Sequence, residues 1–164
     1  MKTVYIAMSA DLVTPSHVQL IKEASKLGEV VIGLLTDNAV AGFQRLPYMP
    51  YEQRKVVIEN IVGVKEVVPQ ETLDHVPNLM TIKPDYVFHR DDWNTGVLRG
   101  TRRRVIDTLK QWGGELVEPD PMPGITSTSL KEAIREVGTT PMMRRSMLKR
   151  LLEAKPLILP LIHI

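Results

Sequence analysis

Cysteine is absent from the 164 residues, which excludes disulfides, thiolate metal sites and cysteine nucleophiles. Aromatic residues make up only 5% of the chain. No apolar run reaches the roughly twenty residues that a membrane span needs. The N-terminus also lacks the charged, apolar and small-residue succession of an export signal. A cytoplasmic chain with no membrane partner is therefore expected. Neither sign of charge dominates: 21 Lys and Arg stand against 19 Asp and Glu, for a net charge of +2. Nucleic-acid binding does not follow from so small an excess, although a local basic site for a polyanion is compatible with it. What remains is a chain of 43% apolar residues, long enough to bury one core without metals or crosslinks.

The apolar segments alternate between strand and helix periods. Thr3 to Met8 reads as a buried central strand, and Val18, Leu20, Ile21, Ala24 and Leu27 recur at helical spacing before Gly28. Glu29 to Leu35 is a second strand, and Thr36, Asp37 and Asn38 offer caps for a short helix. Helix is expected over Tyr51 to Ile61, Gly96 to Trp112 and Thr128 to Val137, and strand over Lys65 to Val68, Asp85 to His89 and Glu115 to Glu118. Five strands alternating with helices imply an α/β architecture, a Rossmann-like doubly wound parallel sheet flanked by helices. Residues 1–137 form that domain in this reading. Residues 138–164 add a basic helix, Met142 to Glu153, and an apolar tail, Leu157 to Ile164, that needs a partner surface.

In open parallel sheets ligands bind beyond the carboxyl ends of the central strands, so the loop after the first strand is the first candidate site. It carries Ser9, Ala10, Asp11, Thr14, Ser16 and His17. Thr14, Pro15, Ser16 and His17 open a helix, where unpaired backbone N–H groups and the helix dipole favour a phosphate. The plainer reading makes Thr14 or Ser16 a helix cap and His17 a solvated first-turn residue. Gly124, Ile125, Ser127 and Thr128 lie at a second loop-to-helix junction, again either an anion cradle or a cap.

The stretch MSADLVTPSHVQLIKEA resembles the opening of nucleotidyltransferases with a T/HxGH signature, Thr14 and His17 taking its first and last positions. Three more stretches resemble the cytidylyltransferase branch and occur in its order: RLPYMPYEQRKVVIENI, HRDDW and GITST. The likeness covers roughly residues 1–137. It implies that His17 contacts the nucleotide phosphates, that Arg45 offsets charge on the departing pyrophosphate, and that Arg54 helps bind the acceptor or the nucleotide. It also implies that Asp91, Asp92 and Trp93 shape the cytosine and ribose pocket, and that Ser127 and Thr128 hold phosphate. Two glycines of the family pattern are replaced, by Ser16 and by Arg90, and Pro121, Met122 and Pro123 stand where some relatives have an arginine.

The implied reaction is in-line attack by an acceptor phosphonate or phosphate on the α-phosphorus of CTP, with Mg²⁺ on the triphosphate and pyrophosphate as leaving group. An acceptor that is already an anion needs no general base. KTVYIAMSADLV, RLPYMPYEQRK and RRSMLKRLLEAKP look like cytidylyltransferase domains joined to phosphoenolpyruvate mutase, which points to 2-hydroxyethyl- or 2-aminoethylphosphonate and makes the C-terminal stretch a linker. A homodimer is expected by the same likeness. Four rivals remain: a glycerol-3-phosphate or phosphocholine cytidylyltransferase; an adenylyltransferase of this fold; a degenerate nucleotide-binding or dimerisation module, motivated by Ser16 and Arg90; and nucleic-acid binding through Arg99, Arg102, Arg103 and Arg104 with Arg144, Arg145, Lys149 and Arg150. The last lacks an aromatic stacking platform beside its charges. His75 and His163 have no spacing that suggests a metal site.

Overall fold

The computed structural model describes residues 1–43, 45–90, 93, 100–120, 130 and 141–154. Its elements run β1 (Thr3–Met8), α1 (Pro15–Ala24), β2 (Glu29–Leu35), α2 (Asp37–Ala41), α3 (Tyr51–Glu59), β3 (Val64–Gln70), α4 (Val76–Ile82), β4 (Tyr86–Phe88), α5 (Thr101–Leu109), β5 (Glu115–Val117) and α6 (Pro141–Ala154). The five strands form one parallel sheet in the order β3-β2-β1-β4-β5, so the expected Rossmann-like architecture is present with β1 at its centre.

Alternation along β1 explains how one strand serves two layers. Val4, Ile6 and Met8 face a core completed by Leu20, Ile21 and Ala24 of α1 and Ile58 of α3. Tyr5 faces the opposite core, with Leu79 of α4, Val105 and Leu109 of α5, and Trp93. Burying each large apolar side chain contributes about 1.5–3 kcal/mol, so both layers are needed to hold the sheet. β3 extends through Pro69, beyond the stretch expected from the sequence; as an edge strand it tolerates a residue without an N–H. Gly33 of β2 marks a close approach, since a Cβ there would lie 1.8 Å from the Tyr5 hydroxyl.

The helix α4 was not anticipated. It has seven residues, a proline in its first turn and no resolvable apolar period, and it stops at Lys83, whose φ of 49° is left-handed, just before Pro84. The expected helix over Gly96 to Trp112 is described as α5, ending before Gly113 at φ 79°. The expected helix at Thr128 to Val137 lies outside the described residues apart from Leu130, which is helical. Among the described residues no helix is long and apolar enough to cross a membrane.

Candidate functional site

The chain leaves β1 for β2 on one side and returns through β3 to β4 on the other, so the carboxyl ends of β1 and β4 flank the switch point of the sheet. That is where open α/β sheets bind ligands. The loop after β1 supplies one wall, and His89, Arg90 and Trp93 after β4 supply the other.

The β1 wall is held by a polar network. Ala10 adopts a left-handed φ of 46° and is fully buried, a conformation that costs a non-glycine residue about 1–2 kcal/mol and that its surroundings must impose. Arg54 of α3 restrains the residue before it: its guanidinium is fully buried and donates to the Ser9 carbonyl, to the Met49 carbonyl at 3.1 Å and to Asp37 Oδ1 at 2.8 Å. The residue after it is restrained through its carboxylate. Asp11, 3% exposed, accepts from Arg45 Nη2 at 2.7 Å and from the Tyr48 backbone N–H at 2.5 Å. Arg45 lies over the Tyr48 ring, 3.6 Å from its centroid. The kink at Ala10 is thus clamped from both sides by residues 45–54.

Asp37 is shared. Arg150 of α6 donates to its second oxygen at 3.2 Å and to the Tyr48 carbonyl at 3.1 Å. The C-terminal helix, read from sequence as a linker, is therefore bonded to the same network. The sequence treats Asp37 as a cap and Arg150 as one charge among many; a contact across 113 positions leaves no local signal.

At the start of α1 Thr14 and His17 form a capping box. The Thr14 backbone N–H donates to His17 Nδ1 at 3.1 Å, and Thr14 Oγ1 lies 2.9 Å from the same nitrogen and 2.8 Å from Ser16 Oγ. A backbone N–H can only donate, so Nδ1 must present its lone pair, which puts the imidazole proton on Nε2. His17 is consequently fixed as an Nε2–H donor. Ser16, standing where the family pattern has glycine, turns its hydroxyl to Thr14.

The β4 wall differs in character. Trp93 is 1% exposed and packs into the lower core, its ring centroid 3.8 Å from that of His89 and 5.2 Å from that of His75. Tyr5, which contacts the His75 ring, is held by Gln70 and by Asn78 at 2.9 Å; burial pushes its hydroxyl pKa far up, opposed by the Asn78 hydrogen bond. His75 is thereby accounted for as a core residue. Glu118, next to β5, receives both Nε and Nη2 of Arg102, at 2.9 and 2.7 Å. That hydrogen bonding lowers its carboxyl pKa, against desolvation, with charge from Arg102 and His89 adding to the effect. Arg90 differs: its Nε and Nη2 are buried and donate to no oxygen of the described residues, and Trp93 Nε1 is in the same state.

The structure thus brings Ser9, Ala10, Asp11, Thr14, Ser16, His17, Arg45 and Arg54 together, with Arg54 and Arg45 both engaged by protein groups. Asp91, Asp92, Gly124, Ile125, Ser127 and Thr128 lie outside the described residues. Of the basic cluster on α5, Arg102, Arg103 and Arg104 pair with Glu118, Asp107 and Asp74. Among the described residues no three His, Asp or Glu side chains converge as a metal cage.

Comparison with known proteins follows the same lines. Solved structures show the fold: a lipopolysaccharide core biosynthesis protein from Thermoplasma volcanium superimposes with a TM-score of 0.64 at 18% identity, covering 75% of this chain and 99% of that one. Glycerol-3-phosphate cytidylyltransferase of Bacillus subtilis is 29% identical over 136 residues, 82% of this chain and 98% of that enzyme. An FAD synthase of Ferroglobus placidus is 31% identical over 87 residues, 53% of this chain; the match spans 57% of that relative's length. The sequence profile described as cytidylyltransferase-like matches residues 8–133, from the last residue of β1 across both walls of the switch point. A match of that extent, on a sheet and a Thr14–His17 loop of this geometry, shows that the chain belongs to the cytidylyltransferase-like family and is a nucleotidyltransferase.

Proposed function

We propose that the protein transfers CMP from CTP to a phosphonate or phosphate monoester and releases pyrophosphate. The observation that carries this reading is the His17 tautomer. With Nδ1 committed to the Thr14 backbone, the imidazole offers a hydrogen bond and cannot remove a proton through that nitrogen. Such a group suits a reaction whose nucleophile arrives ionised. An acceptor oxygen attacks the α-phosphorus, the bond to the β-phosphate bridging oxygen breaks, and pyrophosphate departs with the electron pair. His17 Nε2–H donates to the charge that develops on the transferring group, and the N-terminus of α1 adds its dipole. Mg²⁺, if it accompanies the nucleotide, would supply further charge neutralisation there.

Similarity along almost the whole of a glycerol-3-phosphate cytidylyltransferase supports CTP and a small phosphate-bearing acceptor. The choice of 2-hydroxyethyl- or 2-aminoethylphosphonate rests on the sequence stretches named above. Assembly as a homodimer is part of the proposal, supported by Val56, Val57 and Val62, which remain exposed on and beside α3. The test is pyrophosphate release with CTP and Mg²⁺ against a panel of hydroxyethylphosphonate, aminoethylphosphonate, glycerol-3-phosphate and phosphocholine, with ATP as the alternative nucleotide. Release that requires CTP and one acceptor establishes the reading; release with ATP in place of CTP, or none with any pair, overturns it. His17→Ala should lower kcat about 10²–10³-fold, the typical cost of one lost transition-state donor.

A further inference from the structure

Among the described residues, three buried side-chain nitrogens without a hydrogen-bond partner are concentrated in residues 90–93: Arg90 Nε, Arg90 Nη2 and Trp93 Nε1. Buried donors are nearly always satisfied, and a charged one left unsatisfied is costly, so such a cluster needs a reason. The two Arg90 nitrogens are not an arbitrary pair. Nε and Nη2 share one edge of the guanidinium and point their hydrogens the same way, forming the side-on fork that grips two oxygens of one oxyanion. This protein displays that grip elsewhere: Arg102 uses the same two nitrogens to hold both oxygens of Glu118.

The place matters as much as the fork. β4 pairs with β1 in parallel register, Val4 with Tyr86 and Tyr5 with Val87; carrying the same offset forward sets Arg90 level with Met8, one residue before the loop of Ser9 to His17. Arg90 therefore follows the carboxyl end of β4, on the other side of the switch point from the loop after β1. By contrast Arg54 and Arg45, the cations the sequence offers on the β1 side, are bonded to Ser9, Asp37 and Asp11.

We propose that the Nε–Nη2 fork of Arg90 binds a tetrahedral phosphorus oxyanion, the phosphonate or phosphate group of a substrate seated between β1 and β4, and so makes Arg90 a specificity-determining residue. The identity of the oxyanion rests on the transferase reading; the fork itself does not. What looks in the sequence like the loss of a glycine becomes a gained ligand.

The test compares the full-length wild type with Arg90→Gln and Arg90→Lys, using methylphosphonate alone and CTP with Mg²⁺ alone as probes in titration calorimetry, and circular dichroism to verify folding. The proposal expects Arg90→Gln to weaken one probe at least tenfold. Arg90→Lys, which keeps the charge and loses the fork, should recover only part of that. Weakened methylphosphonate binding assigns the oxyanion to the acceptor, and weakened CTP binding assigns it to the nucleotide; either supports the fork. Folded Arg90→Gln that binds both probes as the wild type does overturns it, as does full recovery in Arg90→Lys. Wild-type pyrophosphate release with an unchanged Arg90→Gln would leave the transferase reading standing and sink Arg90's role. A tenfold loss of probe binding in a protein that never releases pyrophosphate would do the reverse.

Discussion

Arg54 and Arg90 lie on opposite sides of the same switch point, and the protein treats them in opposite ways. Arg54 is fully buried, with donors on Ser9, Met49 and Asp37. Arg90 has two buried nitrogens that no oxygen of the described residues meets. Burial of a cation is tolerable when protein carbonyls and a carboxylate replace water, which makes Arg54 part of the scaffold. The same burial without replacement marks Arg90 as a receptor. A basic residue in a site-forming motif thus says little about its task until its hydrogen bonds are counted.

The largest expected effect that would test this contrast is on stability. Arg54→Ala leaves the kink at Ala10 unclamped and Asp37 short of a partner, and should cost about 3–5 kcal/mol in urea unfolding. Arg90→Gln should leave stability unchanged or raise it. Equal losses from the two would erase the distinction. Next comes Arg45→Ala, which removes one charge-assisted bond to buried Asp11 and should cost about 1.5–3 kcal/mol in the same assay, with reduced turnover as the loop relaxes. Arg150→Ala should cost about 1 kcal/mol, since its two bonds at 3.1 and 3.2 Å are partly offset by a buried Nε without a partner. An Arg150→Ala loss as large as that of Arg54→Ala would move α6 from an accessory of the scaffold to its centre.

The smallest effect concerns pH. Arg102 holds the Glu118 carboxyl below its ordinary pKa, so this contact stabilises the fold above the unfolded-state pKa and is lost as pH falls through the depressed folded-state value. Both side chains are partly exposed, which limits the contribution to a few tenths of a kcal/mol. Arg102→Gln should flatten the acid limb of a Tm-against-pH curve by that much and leave pH 7 to 8 nearly parallel to wild type. A change in the alkaline limb instead would mean that Glu118 is not the group responsible.

The sheet was legible in the sequence because strand and helix periods alternate cleanly: Thr3–Met8 and Glu29–Leu35 have the bounds their apolar runs suggest. α4 was not legible, being short, proline-started and without an apolar stripe. At the site, Thr14 and His17 were readable because their spacing fixes a local geometry, three residues across one helix turn. Arg54 was readable as important and not as buried, because its partners Ser9 and Asp37 come from two other elements. Ala10's left-handed backbone had no signal at all, since only glycine advertises that region.

The double engagement of Asp37 has a practical corollary. One of its oxygens answers to α3 and the other to the C-terminal helix, so a load applied to α6 can reach Ser9 through one carboxylate and one guanidinium. Among the described residues the opposite terminus has no such lever: Met1 is fully exposed at the amino end of the sheet, at the far end of β1 from the Ser9–His17 loop. An affinity tag, surface tether or fluorescent fusion placed before Met1 should therefore be silent. The same cargo attached close behind Ala154 would tug on the pivot that sets the loop, turning the C-terminal helix into a handle by which turnover can be adjusted from outside.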